Sequence, residues 1–361
     1  MRAKRLIVAA ALVATTLTAR ADDRTLLIEL ERRSAALPES VSASGSVVVG
    51  TLEEGGGFYW MPTTGVISIG GSTGADVSHD GRTIVGSAVD SRGIRQAAIW
   101  LRVAEWRLLG SFGPNAAPCD NSLGSASGTS RDGRVVVGLA QNGCTFAHAF
   151  RWEESTGLVD LGSSVAGRPS FARSVSADGR VVVGYQDRAD GFRQGARWTD
   201  GRQELFQGPT GPSGTALAAN ADGSIIVGRV CVPADPRDPN DQSAWVWTTR
   251  DGLRCLPAPR RRPSPGPAIL VDANAVSQDG RVIGGGQNVG GSRDSDAVIW
   301  IDGVPSYLKD YLQANGVPDA FATWINTGAV TGISPDGRVL VGSGAALGGF
   351  RGYLVILGER P

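Results

Sequence analysis

Acidic and basic side chains are interleaved at four places in this sequence. The groups are Asp90, Arg92 and Arg95; Asp187, Arg188, Asp190 and Arg193; Asp235, Arg237 and Asp238; and Arg293, Asp294 and Asp296. Two chemistries suit such groups. A guanidinium fork holds a carboxylate through two parallel hydrogen bonds, so the arginines would suit a polar, uronate-bearing sugar chain. A pair of carboxylates can also hydrolyse a glycosidic bond without histidine or metal. For any single residue, the competing reading is a solvated loop with local ion pairs. Tyr307, Tyr311 and Trp324 share one long segment. They would either wall a pocket beside these groups or belong to a lid over apolar surface.

Other chemistry-bearing residues are sparse. The two histidines are His79 and His148. His79 occupies a turn position filled elsewhere by Ala, Arg, Gln or Pro, and reads as an ordinary turn residue. His148 opens the stretch His148-Ala149-Phe150-Arg151-Trp152 and reads as structural, with a general-base role as the alternative. No nucleophile elbow, zinc-protease helix or phosphate-binding loop is present. No metal centre and no cofactor are expected. Arg260-Arg261-Arg262, flanked by prolines, reads as an exposed loop or as a contact for an anionic ligand.

These residues punctuate a repeat. A turn glycine recurs at Gly45, Gly81, Gly133, Gly179, Gly223, Gly280 and Gly337, and all but the first copy read Asp-Gly. An Asp-Gly pair between β-rich runs signals a hairpin, here expected as a type I′ turn with positive φ at both central residues. After each turn comes a β-branched run ending in glycine, such as Val181-Val182-Val183-Gly184 or Val282-Ile283-Gly284. Fifteen to 24 residues past the turn glycine stands an aromatic: Trp60, Trp100, Trp152, Trp198, Trp247, Trp300 and finally Tyr353. A second tight turn often follows, as at Asp200-Gly201 and Asp302-Gly303. Asp80, Asp132, Asp178, Asp222, Asp279 and Asp336 recur once per copy, so they read as turn residues and not as a catalytic pair.

Each copy therefore predicts four short antiparallel strands, here called a to d from first to last. Four-stranded units at this spacing are the blades of a propeller. The expected fold is all-β: a seven-bladed β-propeller of four-stranded antiparallel blades. The last copy ends after its third strand, so Leu26-Leu27-Ile28-Glu29-Leu30 is expected to supply the missing fourth; the alternative is a helix on the rim. Tight a–b and c–d turns share one face. The b–c and d–a connections share the other and carry the long segments, including Pro305 to Asn326. Long loops on a rigid scaffold are where binding residues gather. Within that segment Leu308 and Leu312 suggest a short helix ending near Gly316.

Residues 1–21 read as a secretory signal: Arg2, Lys4 and Arg5, then an apolar run, then Ala19-Arg20-Ala21. Residues 22–361 then form one propeller domain, exported to the periplasm or beyond, with no transmembrane segment. Cleavage would leave 31 basic against 35 acidic side chains, a net charge of −4. That balance argues against nucleic-acid binding, which rests on phosphate neutralisation. Four cysteines in an exported chain read as disulfides, expected as Cys119–Cys144 and Cys231–Cys255.

The motif S-x-D-G-R-x-V-V-G followed by H-A-F-x-W resembles the HAF-type extracellular repeat family of bacteria. Ser130 to Gly138, continuing through His148-Ala149-Phe150-Arg151-Trp152, carries the match most fully, and looser copies cover nearly the whole mature chain. Ser334-Pro335-Asp336-Gly337 also looks like the turn of WD-like propeller repeats. The resemblance implies an exported β-propeller and carries no catalytic residues. The leading expectation is a monomeric, non-catalytic module that binds a polysaccharide or an envelope protein. Arg95, Asp187, Arg188, Arg193, Arg293, Asp294, Tyr307, Tyr311 and Trp324 are its candidate ligand-binding residues. The alternative is a secreted polysaccharide lyase or hydrolase using loop carboxylates, arginines and tyrosines.

Overall fold

The computed structural model describes residues 24–30, 35–101, 105–112, 121–142, 146–209, 211–231, 243–259, 269–289 and 295–358. The expected signal at 1–21, the pair Cys119–Cys144, and residues Arg293, Asp294, Asp235, Arg237, Asp238 and Arg260 to Arg262 lie outside them.

The strands are short and form antiparallel meanders of four, each built on a copy of the repeat. The first is Ala36–Val41, Val48–Leu52, Gly57–Met61 and Gly65–Gly70. The next is Thr73–Val77, Thr83–Val89, Arg95–Leu101 and Trp106–Leu108. Gly124–Thr129, Val136–Asn142, Phe146–Glu153 and Gly157–Asp160 follow, then Ser170–Val175, Val181–Asp187, Arg193–Thr199 and Arg202–Leu205. Two further meanders, Ala216–Ala219 to Gly252–Cys255 and Ile269–Val276 to Val304–Tyr307, are joined by one bridge between Arg229 and Asp272. The last sheet holds Ala329–Ile333, Val339–Ala346 and Gly349–Ile356, and its fourth strand is Leu26–Leu30. That N-terminal strand pairs from Leu26 opposite Ile356 to Leu30 opposite Gly352. The pairing covers an edge that would otherwise expose unpaired amides. It also builds a shared core, in which Leu30, Ala36 and Val48 pack with Val341 and Leu354.

The repeat's turn differs from the expected type. In Ser176-Ala177-Asp178-Gly179 only Gly179 has positive φ, at 76°. Gly179 N–H donates to the Ser176 carbonyl at 2.9 Å. The Ser176 hydroxyl donates to Asp178 Oδ1 at 2.5 Å and accepts the Val181 N–H at 2.9 Å. This is a type I turn closed by a left-handed glycine, and its Asp and Ser organise the loop by local hydrogen bonds. The type I′ expectation holds instead at Asp200-Gly201 (φ 50° and 77°) and Asp302-Gly303 (φ 51° and 80°).

The glycine ending each apolar run has a steric cause. A Cβ on Gly184 would stand 1.9 Å from the Phe171 carbonyl, and one on Gly138 would stand 2.1 Å from the Ser125 carbonyl. The constant feature is five residues past the turn glycine. In the copy Val282-Ile283-Gly284 that position is Gly285, whose Cβ would stand 1.7 Å from the Asp272 carbonyl. The most deeply buried aromatic changes place in two copies, although Trp247 keeps the column's register opposite Ile226. Trp245 is fully buried while Trp247, two residues on, is half-buried. In the last copy Val355 fills the register position of the tryptophans, and Tyr353 sits two residues earlier, opposite Gly342.

The segment after Val304–Tyr307 forms the helix Leu308–Ala314, with Leu308 and Leu312 buried and Gly316 at φ 91° just beyond it. No helix among the described residues is long and apolar enough to cross a membrane.

Candidate functional site

Each innermost strand carries a β-bulge at one constant position, six residues before the turn glycine. The register shifts fall between Pro38 and Ser40, Gly74 and Asp76, Ala126 and Gly128, Ala172 and Ser174. They recur between Ala216 and Ala218, Ala273 and Ala275, Val330 and Gly332. A bulge leaves one residue out of the pairing and re-aims it. The bulged residues are Glu39, Ala75, Ser127, Arg173, Leu217, Asn274 and Thr331, and all of them line one central cavity of about 200 Å³. Three bind the neighbouring unit at an equivalent carbonyl. The Ser127 hydroxyl donates to Ala172, Asn274 Nδ2 to Val330, and the Thr331 hydroxyl to Pro38.

Charge enters this cavity through Glu39, Asp76, Arg131 and Arg173. Asp76 ties three units together. It accepts the Ser40 hydroxyl at 2.5 Å, the Val77 N–H at 2.8 Å and the Thr129 N–H at 2.9 Å. Enclosure raises its pKa, and these hydrogen bonds act in the opposite direction. Glu39 is exposed to the central cavity, where the strands around it displace much of its solvent shell. That desolvation pushes its carboxyl up to about 7, with Arg173 pulling the other way. Burial lowers the His79 pKa, and Arg131 adds to the effect. None of Glu39, Asp76 or Arg173 was among the sequence candidates.

A second cavity of about 530 Å³ lies where connections of the b–c and d–a kind meet. Arg188, Phe192 and Arg193 come from the hairpin joining Val181–Asp187 to Arg193–Thr199, and Gly214 and Thr215 from the next connection. Arg229 and Val230 close one side, and Asp272 and Asn288 another. Phe192 is 71% exposed. Arg193 lies over the Tyr185 ring at 4.4 Å from its centroid, a cation–π contact that restrains it. Arg188 pairs with Asp190. Arg229 reaches Asp272 only at 3.8 Å. Val230 holds a φ of 65°, a strained value for a β-branched residue. Such strain concentrates at binding sites.

Two of the sequence candidates, Arg188 and Arg193, therefore meet in one cleft. Asp187 precedes them, half-buried, opposite Arg193 in the sheet register. Arg95 lies elsewhere, its Nε 3.4 Å from the Ser122 hydroxyl. Tyr307 and Trp324 are buried rather than walls of a pocket. The Tyr307 hydroxyl bonds Gln287 Oε1 at 3.3 Å. Trp324 Nε1 donates to Glu29 Oε1 at 2.8 Å, and its ring packs edge-on against Phe321 and Tyr353. Tyr311 packs at the margin of the same core. For this segment the lid reading describes what the side chains touch. His148 Nδ1 sits 2.9 Å from Asp160 Oδ2, which orients the ring on the sheet surface.

Cys231 and Cys255 are bridged, with Cα atoms 5.5 Å apart. Among the described residues no group of three or more His, Cys, Asp or Glu side chains is placed to hold a metal.

No protein-family model matches the chain. No curated protein matches it either. Solved structures do. The β-propeller domain of the trilobed protease from Pyrococcus furiosus, described as an open velcro topology, is similar at TM-score 0.52 and 12% identity, over 90% of this chain and 96% of that one. Hydrazine synthase from Kuenenia stuttgartiensis is similar at TM-score 0.51 and 13% identity, over 87% and 94%. TolB from Acinetobacter baumannii is similar at TM-score 0.44 and 13% identity; this chain covers 65% of the TolB chain, with 90% of its own residues aligned. The likeness to the protease domain shows the fold, a β-propeller of four-stranded antiparallel sheets.

Proposed function

We propose that this chain is an exported seven-bladed β-propeller of the HAF-repeat type, residues 22–361 forming one domain behind a secretory signal, and that it acts as a binding module for a glycan or protein at the cell envelope. The observation that carries the reading is the cleft of about 530 Å³, where Arg188, Arg193 and Arg229 surround open space beside an exposed Phe192. A cleft of this size with an aromatic and a few directed polar groups is the usual form of a ligand site. Seven repeat copies, each lying in a four-stranded antiparallel unit, support the blade count. The Cys231–Cys255 bridge supports an oxidising compartment.

The test is a panel of neutral and anionic polysaccharides together with a pull-down from envelope extract, recording both binding and new reducing ends or unsaturated uronates. Saturable binding without turnover is the expected result. Turnover that vanishes when loop carboxylates or tyrosines are substituted would make the chain a polysaccharide-active enzyme and overturn the module reading.

A further inference from the structure

One set of side chains connects the two cavities. Arg173, on the bulge, lines the central cavity and lies over the Phe171 ring at 4.6 Å from its centroid. Phe171 meets Tyr185 edge-on at 5.8 Å. Arg193 lies over the other end of this ladder, on Tyr185, and lines the cleft with Arg229. Three guanidinium groups are thus gathered between cleft and cavity. Burial lowers the Arg173 pKa, Arg229 and Arg193 repel it further, and Tyr185 and Glu39 oppose them. Counter-charge comes from Asp272, 3.8 Å from Arg229, from Asp187 opposite Arg193 in the sheet register, and from Glu39 across the central cavity, yet Arg173 Nε is buried with no hydrogen-bond acceptor among the described residues. A buried donor without a partner is costly to keep. Guanidinium groups gathered around one space are what a site for an anion requires.

We propose that Arg173, Arg193 and Arg229 form one anion site at the inner end of the cleft, and that its ligand is a carboxylate-bearing polysaccharide. Arg173 and Arg193 are each held against an aromatic ring, and a guanidinium fork suits the planar carboxylates of uronic acids. Phe192, exposed at the cleft, offers an apolar face on which a sugar ring can stack. The cleft is far larger than a lone anion needs, which favours a chain over a single ion. The inference rests on the binding-module reading and names the ligand class for its site.

The experiment is calorimetric titration of the purified full chain with polygalacturonate, its methyl-esterified form and polyglutamate. Binding to polygalacturonate is expected to weaken about tenfold or more on esterification, and by a similar factor in Arg193→Gln and Arg229→Gln, each of which loses one charged hydrogen-bonding contact. Arg193→Lys should fall between, since it keeps the charge and loses the fork. Arg193→Gln is expected to melt no lower than the parent chain, because one of three like charges has gone. Equal binding of the esterified polymer would overturn the proposal, as would unchanged affinity in both variants. Polyglutamate bound as tightly, with the same arginine dependence, would overturn the sugar class. Binding confined to neutral glycans and untouched by these variants would sink the anion site and leave the module reading standing. No binding to any glycan or envelope protein would end both.

Discussion

The Thr331 hydroxyl donates a hydrogen bond to the Pro38 carbonyl at 2.8 Å, joining residues 293 positions apart. The contact repeats one made within the chain, where Asn274 Nδ2 reaches the Val330 carbonyl at 3.1 Å. The last unit therefore grips the first as interior units grip each other. A second series runs through turn backbones: Ala43 N–H to the His79 carbonyl, His79 to Arg131, Arg131 to Ala177, and Ala177 to Ala221. Gln278 N–H then reaches Pro335. Pro335 has no N–H to continue the series, so the join back to the first unit rests on side chains and on the N-terminal strand.

That join predicts a large effect from the strand. Leu30 is 3% exposed and packs in the core shared by the first and last units. Leu30→Ala should lower the unfolding free energy by about 2–5 kcal/mol, the range for truncating a buried leucine. Thr331→Val should lower it by only about 1 kcal/mol, the net worth of one hydrogen bond. Urea unfolding of both variants checks the order. A Leu30→Ala chain as stable as the parent would mean that the strand does not hold the ends together.

A second prediction concerns the glycine of the apolar run. Gly184 carries no positive φ; its constraint is the Phe171 carbonyl, 1.9 Å from where a Cβ would stand. Gly184→Ala must push the inner strand away at its bulge, beside Arg173. Overpacking of this kind costs about 1–3 kcal/mol. The thermal midpoint should fall, and affinity for polygalacturonate at the proposed anion site should fall with it, because the displaced strand carries Arg173. An unchanged melting curve would show that the two strands separate freely.

The fold was legible because its determinants are periodic. Turn glycines, apolar runs and aromatics recur at offsets fixed by one supersecondary unit, and the absent last strand had a visible substitute in Leu26 to Leu30. The candidate site was legible only in part. Arg188 and Arg193 stood out because they break the repeat in a hairpin tip. Arg173, Glu39 and Asp76 did not, because they lie inside apolar strands where alternation decides which face a residue meets. The bulge overrides that alternation by one residue. Aligned on the turn glycine, Glu39, Ala75, Ser127, Arg173, Leu217, Asn274 and Thr331 fall in one column six residues upstream. That column was a usable signal. Tyr307 and Trp324 misled for the opposite reason, since an aromatic residue reads alike in a pocket wall and in a core.

The bridge between Cys231 and Cys255 closes a separation of 24 residues, and both cysteines pack with Phe206 and Trp245. On the chain-entropy model such a loop contributes about 3 kcal/mol. The double variant Cys231→Ala/Cys255→Ala should lose about that much in urea unfolding under oxidising conditions. Under reducing conditions the difference should close. A gap that persists under reduction would assign the loss to packing instead.

The central cavity predicts a pH dependence of known sign. Glu39 has an ordinary value of 4.5 and is raised to about 7 by desolvation, against the pull of Arg173. Below about pH 4.5 both folded and unfolded chains hold this proton. Between about 4.5 and 7 only the folded chain holds it, so stability falls as the pH rises, and the fall ends above about 7. The other charged groups facing the cavity are Asp76, Arg131, Arg173 and the His79 ring, and they are common to parent and variant. Glu39→Gln removes the titration and keeps the shape. Its melting temperature should match the parent near pH 5 and exceed it at pH 8, with the two separating in between. A deficit of the same size at both pH values would show that Glu39 is ionised throughout, with Arg173 as its counter-ion.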